Sequence, residues 1–187
     1  MFDLSKYNQA IFDFDGVILH SNKIKSQAFA KSLLGEDENL IKKFIDYHNN
    51  NLNISRFDKF EHFFRYIKKQ ENYKKDLDRV LMRFSKLSYE GLLNCEEISG
   101  IRDILEFFYK NHIECFIVSQ GEQTEVIKVL KKRKLVKYFK AVYGSPKSKS
   151  ENFIKIKLLN SLYFGDSKSD YEISKFWTFQ TKYAFPE

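Results

Sequence analysis

Residues 9–21 read QAIFDFDGVILHS, an apolar run that ends in two aspartates one residue apart, Asp13 and Asp15, and then Gly16. A β-strand buries its apolar side chains and excludes unpaired charge, so carboxylates at its end need water, a cation or a hydrogen-bond donor. Taken alone, the stretch also fits a surface turn in which Asp15-Gly16 reverses the chain. The segments that follow it decide between the two.

After Leu19 the pattern changes. Residues 21–93 carry no convincing strand but four amphipathic stretches: NKIKSQAFAKSLL (22–34), ENLIKKFIDYHN (38–49), SRFDKFEHFFRYIKK (55–69) and YKKDLDRVLMRFSKLSYEGLL (73–93). Apolar residues recur there at helical spacing, which predicts an all-helical insertion. Phe57, Phe60, Phe63 and Phe64 belong to its core by that spacing.

From residue 98 helices alternate with short apolar runs, the mark of a parallel sheet with crossover helices. SGIRDILEFFYKN (99–111) reads as a helix opened by a Ser cap, IECFIVS (113–119) as a strand and GEQTEVIKVLKKRK (121–134) as a helix. KAVYG (140–144) and SLYFGDS (161–167) read as strands around a short helix in SENFIKIKLLN (150–160). KSDYEISK (168–175) gives a last helical turn or two, and WTFQTKYAF (177–185) a closing strand. The expected fold is therefore α/β, a Rossmann-like doubly wound parallel sheet formed by residues 1–19 and 95–187, with an all-helical cap subdomain at 20–94.

In such a sheet, ligands bind beyond the carboxyl ends of the strands. The first apolar run ends in Asp13 and Asp15, the second in Ser119, the third in GSPKSK with Lys147 and Lys149, and the fourth in Asp166 with Asp170 close behind. Two or three carboxylates make a hard oxygen site for a divalent cation such as Mg²⁺, while Lys and Ser hold phosphoryl oxygens. That convergence argues against the simple turn.

Composition narrows the classes further. A chain of 187 residues with 43% hydrophobic content can bury one good core, or one core plus a modest inserted unit. Cys95 and Cys115 lie far apart without metal-ligand spacing, so they read as reduced thiols in a cytoplasmic protein. No stretch has the apolar length to cross a bilayer, and MFDLSKYNQA lacks the order of a secretory signal. The net charge of +7 is mostly scattered Lys. In the densest basic run, KVLKKRKLVK (128–137), Val129, Leu130, Leu135 and Val136 fall at helix-compatible intervals, which describes a solvated helix face rather than a nucleic-acid site. Nothing in the sequence specifies an oligomeric state.

The ordered set of motifs resembles the haloacid dehalogenase-like superfamily of phosphohydrolases. DFDGV (13–17) is similar to its first motif, Ser119 in FIVSQG to its second, Lys149 in GSPKSK to its third and GDSKSD (165–170) to its fourth. The sub-group it most resembles, that of phosphoglycolate phosphatase and β-phosphoglucomutase, carries a helical cap just after the first motif. The segment YHNNNLNISRFDKF (47–60) also looks like that of phosphatases encoded among genes for surface polysaccharide or nucleotide-sugar synthesis. Two features depart from the family pattern: a short stretch between Lys149 and Gly165, and the aromatic FWTFQTKYAF (176–185) where a small-residue helix is usual.

The resemblance implies a Mg²⁺-dependent phosphatase acting on a small phosphorylated metabolite, sugar phosphates among the candidates. Asp13 would be the nucleophile and Asp15 the general acid and base. Ser119, Gln120 and Lys149 would bind phosphate. Mg²⁺ would be held by Asp13, the backbone carbonyl of Asp15 and Asp166, and Asp170 would ligate the metal or orient Lys149. The residue types leave alternatives at several positions. Ser119 also suits a helix cap, Lys147 competes with Lys149, and Asp170 also suits a first helical turn. Asn22, His48 and Arg56 are candidate substrate contacts in the cap, although a lone His or Arg on an amphipathic helix is usually a surface residue. A phosphomutase of the same family and a non-catalytic phosphate-binding regulatory domain are the competing functions. The second acid, Asp15, disfavours both dehalogenation and a regulatory domain.

Overall fold

The computed structural model describes residues 4–52, 54–156, 160–176 and 180–183. The chain divides into two compact units, one formed by Met1–His20 with Glu96–Glu187 and the other by Ser21–Cys95.

The first unit is built on a parallel sheet of five strands in the order β3-β2-β1-β4-β5. They are β1 (Gln9–Phe12), β2 (Glu114–Glu122), β3 (Phe139–Ser145), β4 (Ser161–Gly165) and β5 (Gln180–Tyr183). All four residues of β1 are buried, as a central parallel strand covered on both faces requires. Its register sets Ile11 beside Phe116 on one side and beside Tyr163 on the other. Successive side chains alternate between faces. Ile11 packs with Phe116, Val118, Phe153, Ile156 and Tyr163, while Phe12 stacks on Phe164 and meets Phe108 and Phe139 edge-on. The chain runs outward from β1 through β2 and β3, then returns to β4 on the opposite side of β1. That reversal puts a crevice at the carboxyl ends of β1 and β4.

The helical unit comprises α1 (Asn22–Ser32), α2 (Glu38–Asn50), α3 (Arg56–His62) and α4 (Lys74–Asn94). Phe29, Phe44, Phe60, Phe63, Phe64 and Phe84 form its core. Phe57 is the exception to the predicted stripe and is 37% exposed. The long helix expected over 55–69 widens after His62 into a π-helical turn, Phe63–Ile67, closed by Lys68 N–H on the Phe63 carbonyl. The adjacent Phe63 and Phe64 are both buried there.

The remaining helices are α5 (Ile101–Lys110), α6 (Gln123–Lys132), α7 (Lys149–Phe153) and α8 (Lys168–Phe176). The Ser cap expected for α5 is absent. Gly100 holds the N-cap position at φ 76°, a left-handed conformation that glycine adopts without a Cβ penalty, and Ser99 lies outside it. Strand β2 runs on to Glu122, so α6 starts later than the sequence suggests. Lys128, Lys131, Lys132 and Lys134 are exposed around the buried Val129, Leu130 and Leu135. The short helix expected over 150–160 is the five-residue α7, with 157–159 outside the described residues. The ends of the closing strand expected over 177–185 also lie outside them. Among the described residues, no helix is long and apolar enough to cross a membrane.

Candidate active site

Strand β1 ends one residue before the first aspartate. Asp13 nevertheless extends the ladder, its N–H donating to the Phe164 carbonyl at 2.9 Å. Its Oδ1 accepts the Phe14 N–H at 2.7 Å. A tight loop follows, in which Gly16, at φ 77°, donates to the Leu19 carbonyl and Ile18 N–H reaches the Phe14 carbonyl. The two acids therefore do not lie on one extended segment. Asp13 is buried at the strand end, and the half-buried Asp15 belongs to the loop, bridged to Leu19.

Lys149 opens α7, whose start is fixed by a capping box between Ser148 and Glu151. Its ammonium lies 2.9 Å from Asp13 Oδ2 and 2.6 Å from Asp170 Oδ1. Lys149 is buried, whereas its competitor Lys147 is exposed. Asp170 lies in the first turn of α8 and is fully buried. The turn is held against the strand end because Gly165 has no side chain: a Cβ there would stand 2.3 Å from the Asp170 Cβ. Asp166, half-buried, joins Asp13 and Asp170 in a group whose carboxylate oxygens lie within 4.8 Å of one another. Such an all-carboxylate oxygen set suits a hard cation such as Mg²⁺.

Burial pushes the Asp13 carboxyl up to about 7, against the lowering pull of Lys149 and with the repulsion of Asp170 and Asp15 added. Burial also opposes charge on Asp170, but there Lys149, Ser167 and Tyr163 outweigh it and hold the carboxyl below its usual range. Desolvation likewise works against the Lys149 ammonium, which Asp13, Tyr163 and Asp170 keep protonated well beyond its ordinary range. A cation bound between the acids would favour their ionised forms further.

Ser119 is buried near the end of β2, and its Oγ accepts the Gly121 N–H at 2.9 Å. It does not cap α6; Glu122 does, accepting the N–H groups of Thr124 and Glu125. Gln120 is half-buried beside Ser119. The close approach of β3 to this segment depends on Gly144, where a Cβ would meet the Gly121 carbonyl oxygen at 2.5 Å. Next to Gly144, Ser145 Oγ is buried without a hydrogen-bond partner among the described residues.

The helical unit holds a second polar cluster. His48 and Arg56, read from sequence as surface residues in the ordinary case, are buried, and Asn22 is exposed at the start of α1. His48 Nδ1 lies 2.9 Å from Lys59 Nζ and Nε2 lies 3.0 Å from Ser26 Oγ. An ammonium only donates, so Nδ1 accepts from Lys59 and Nε2 carries the proton toward Ser26. Arg56 reaches Ser85 Oγ at 3.3 Å and packs over the Phe84 ring. Lys59 escaped the sequence reading although it is only 2% exposed. Its spacing of three from Arg56 on the face that carries Phe60 and Phe63 was the available signal.

Many solved structures share the fold, and three of them serve for comparison. They are the HAD-hydrolase YfnB from Bacillus subtilis bound to magnesium (18% identity, 94% of this chain and 87% of that one, TM-score 0.68), a mutant of CbbY from Rhodobacter sphaeroides in complex with xylulose-(1,5)bisphosphate (9%, 97% and 87%, 0.76), and a protein described as "a predicted phosphoglycolate phosphatase" from Haemophilus somnus (14%, 96% and 85%, 0.73). At these identities the likeness is one of fold. No curated protein sequence matches the chain. The haloacid dehalogenase-like hydrolase pattern matches residues 10–181, from β1, which leads into Asp13, to the last strand of the sheet. With that match spanning nearly the whole chain, the protein belongs to the haloacid dehalogenase-like hydrolase family.

Proposed function

We propose that the chain is a Mg²⁺-dependent phosphatase of small phosphorylated metabolites that works through a phosphorylated Asp13. The observation that carries this reading is the buried Lys149 ammonium between Asp13 and Asp170, at the edge of a cluster of three carboxylates. A buried cation and hard-oxygen donors together suit a phosphoryl group and a divalent cation.

Asp13 attacks phosphorus, and the leaving oxygen takes a proton from Asp15, which later accepts one from the water that opens the acyl phosphate. Lys149 neutralises charge on Asp13 and on the phosphoryl oxygens, and Ser119 and Gln120 bind those oxygens at the end of β2. Asp13 and Asp166, with the Asp15 carbonyl, would hold Mg²⁺, which supplies the charge neutralisation that lets a carboxylate approach a phosphate dianion. In the helical unit, Asn22, His48 and Arg56 are the candidate substrate contacts in this reading. YfnB's magnesium and CbbY's sugar bisphosphate support the cation and the substrate class. Cys95 and Cys115 are free thiols, which suits a reducing cytoplasm. No nucleic-acid or membrane partner forms part of this function.

The test is hydrolysis of para-nitrophenyl phosphate with Mg²⁺, followed by a panel of sugar phosphates and phosphoglycolate. Asp13→Asn should abolish phosphate release and leave the melting temperature in place, and a fully active variant would sink the assignment. Release of inorganic phosphate, rather than recovery of an isomerised ester, separates hydrolysis from phosphoryl return to the sugar.

A further inference from the structure

Asp170 has a full set of hydrogen bonds. Oδ1 accepts from the Lys149 ammonium at 2.6 Å and from the Tyr163 hydroxyl at 2.5 Å. Oδ2 accepts from the Ser167 hydroxyl at 2.6 Å and from the Ser167 N–H at 3.2 Å. A carboxylate offers about four lone-pair sites. Donors occupy all of them: at Oδ1 a cation could coordinate Asp170 only by leaving buried Lys149 or Tyr163 unpaired, which is costly, and at Oδ2 only by displacing both bonds from the half-buried Ser167.

Tyr163 is the least expected of these donors. It sits in the middle of β4, fully buried, with its ring edge-on to Phe153 and packed among Ile11, Phe116 and Val118. Phenylalanine would fill that space equally well, but it would not supply the hydroxyl. A buried phenol needs a partner, and this one meets the same carboxylate oxygen that holds Lys149.

We propose that Asp170 anchors Lys149 rather than ligating the cation, and that Tyr163 is the positioning residue that maintains this division. The proposal rests on the phosphatase reading of the site. The Tyr163 hydroxyl draws part of the charge of Oδ1, which keeps Lys149 shared between Asp170 and Asp13 instead of drawn wholly to Asp170. It also fills the lone pair through which Asp170 would otherwise compete for the cation. Asp13 and Asp166 are then the side chains left to hold the metal.

Mn²⁺ binding followed by electron paramagnetic resonance gives a readout independent of turnover, and inorganic phosphate serves as the second probe. Tyr163→Phe should keep the Mn²⁺ affinity of the parent within about threefold. It should weaken phosphate inhibition about 10-fold, the size of one lost hydrogen bond to a charged group, with the loss shared between KM and kcat. A merely structural role would lower the melting temperature and leave both constants of the folded enzyme unchanged. Asp170→Asn should likewise weaken phosphate and retain Mn²⁺, whereas Asp166→Asn should lose Mn²⁺. The proposal fails if Asp170→Asn loses Mn²⁺ as fully as Asp166→Asn, or if Tyr163→Phe binds phosphate as the parent does. Should Tyr163→Phe not fold, the Asp170→Asn and Asp166→Asn pair still decides. A parent protein that neither binds Mn²⁺ nor hydrolyses phosphate esters would refute the phosphatase reading itself, a result distinct from these.

Discussion

The Lys149 ammonium stands 2.9 Å from the Asp13 carboxylate, with both groups buried at the carboxyl edge of the sheet. Removing the cation leaves Asp13 and Asp170 facing one another without compensation, and a broken buried pair costs about 3–5 kcal/mol. Lys149→Met, which keeps much of the side-chain volume, should therefore lower stability by about that amount and abolish inhibition by inorganic phosphate. Denaturant midpoints and phosphate competition check the two effects. Lys149→Arg should not restore activity, because a planar guanidinium cannot replace a compact ammonium between two carboxylates. Wild-type phosphate inhibition in Lys149→Met would remove Lys149 from the site.

The parts of this site that sequence discloses are those with a local signature. Asp13, Asp166 and Lys149 each follow an apolar run or a turn-forming segment, so their place at one sheet edge follows from the α/β alternation. Tyr163 has no such signature. In SLYFG it reads as one more core aromatic, and only the packed structure shows that its hydroxyl meets a residue seven positions along the chain. Lys59 and Arg56 mislead for the opposite reason, because charged residues on an amphipathic helix are expected to face water. Their burial depends on a neighbouring helix, α4, and on the α2 residue His48, and local periodicity carries no information about such partners. At the start of α5 a serine beside a glycine looks like a cap, whereas the left-handed turn at Gly100 takes the position.

Asp13 makes the metal-free protein pH-sensitive. Burial raises its carboxyl to about 7 from 3.8, so between those values the folded state holds a proton that the unfolded state has lost. This contribution is full at low pH and disappears as pH rises through about 7. Cation binding needs the carboxylate, and at about pH 6 it must expel that proton. Mg²⁺ should thus release close to one proton per site at about pH 6 and almost none at about pH 8.5. Its affinity should rise about fivefold from pH 6 to 7, about tenfold by pH 8, and then level off. Calorimetry in two buffers of different ionisation enthalpy measures the release, and a buffer-independent heat at about pH 6 would contradict it.

His48 gives the helical unit the opposite dependence. Burial first, then the charges of Lys59 and Lys25, lower its pKa to about 4 from 6.5. As pH falls through that window the unfolded chain takes up a proton that the folded imidazole refuses, so stability is full above 6.5 and lost on the way to 4. His48→Gln can still meet Ser26 and Lys59 but does not titrate. Its urea midpoint should fall less than that of the parent between about pH 7.5 and about pH 5. Parallel slopes in the two proteins would show that His48 is not the responsible group.

Gly91 tests how tightly α1 and α4 pack. A Cβ at this position would lie 2.3 Å from the Ile24 Cγ2. Two effects oppose one another in Gly91→Ala. Helix propensity favours alanine by about 1 kcal/mol, while forcing a methyl into a filled contact costs about 1–3 kcal/mol. The second should prevail, because Cγ2 is carried on a β-branched carbon whose rotamers are restricted in a helix. Gly91→Ala should therefore lower the denaturant midpoint in the parent background and raise it in an Ile24→Ala background, where the obstructing methyl is gone. A double-mutant cycle on the two positions isolates that coupling from the propensity gain, which is the same in both arms. Equal effects of Gly91→Ala with and without Ile24 would mean that the helices separate at little cost and that the contact does not set their spacing.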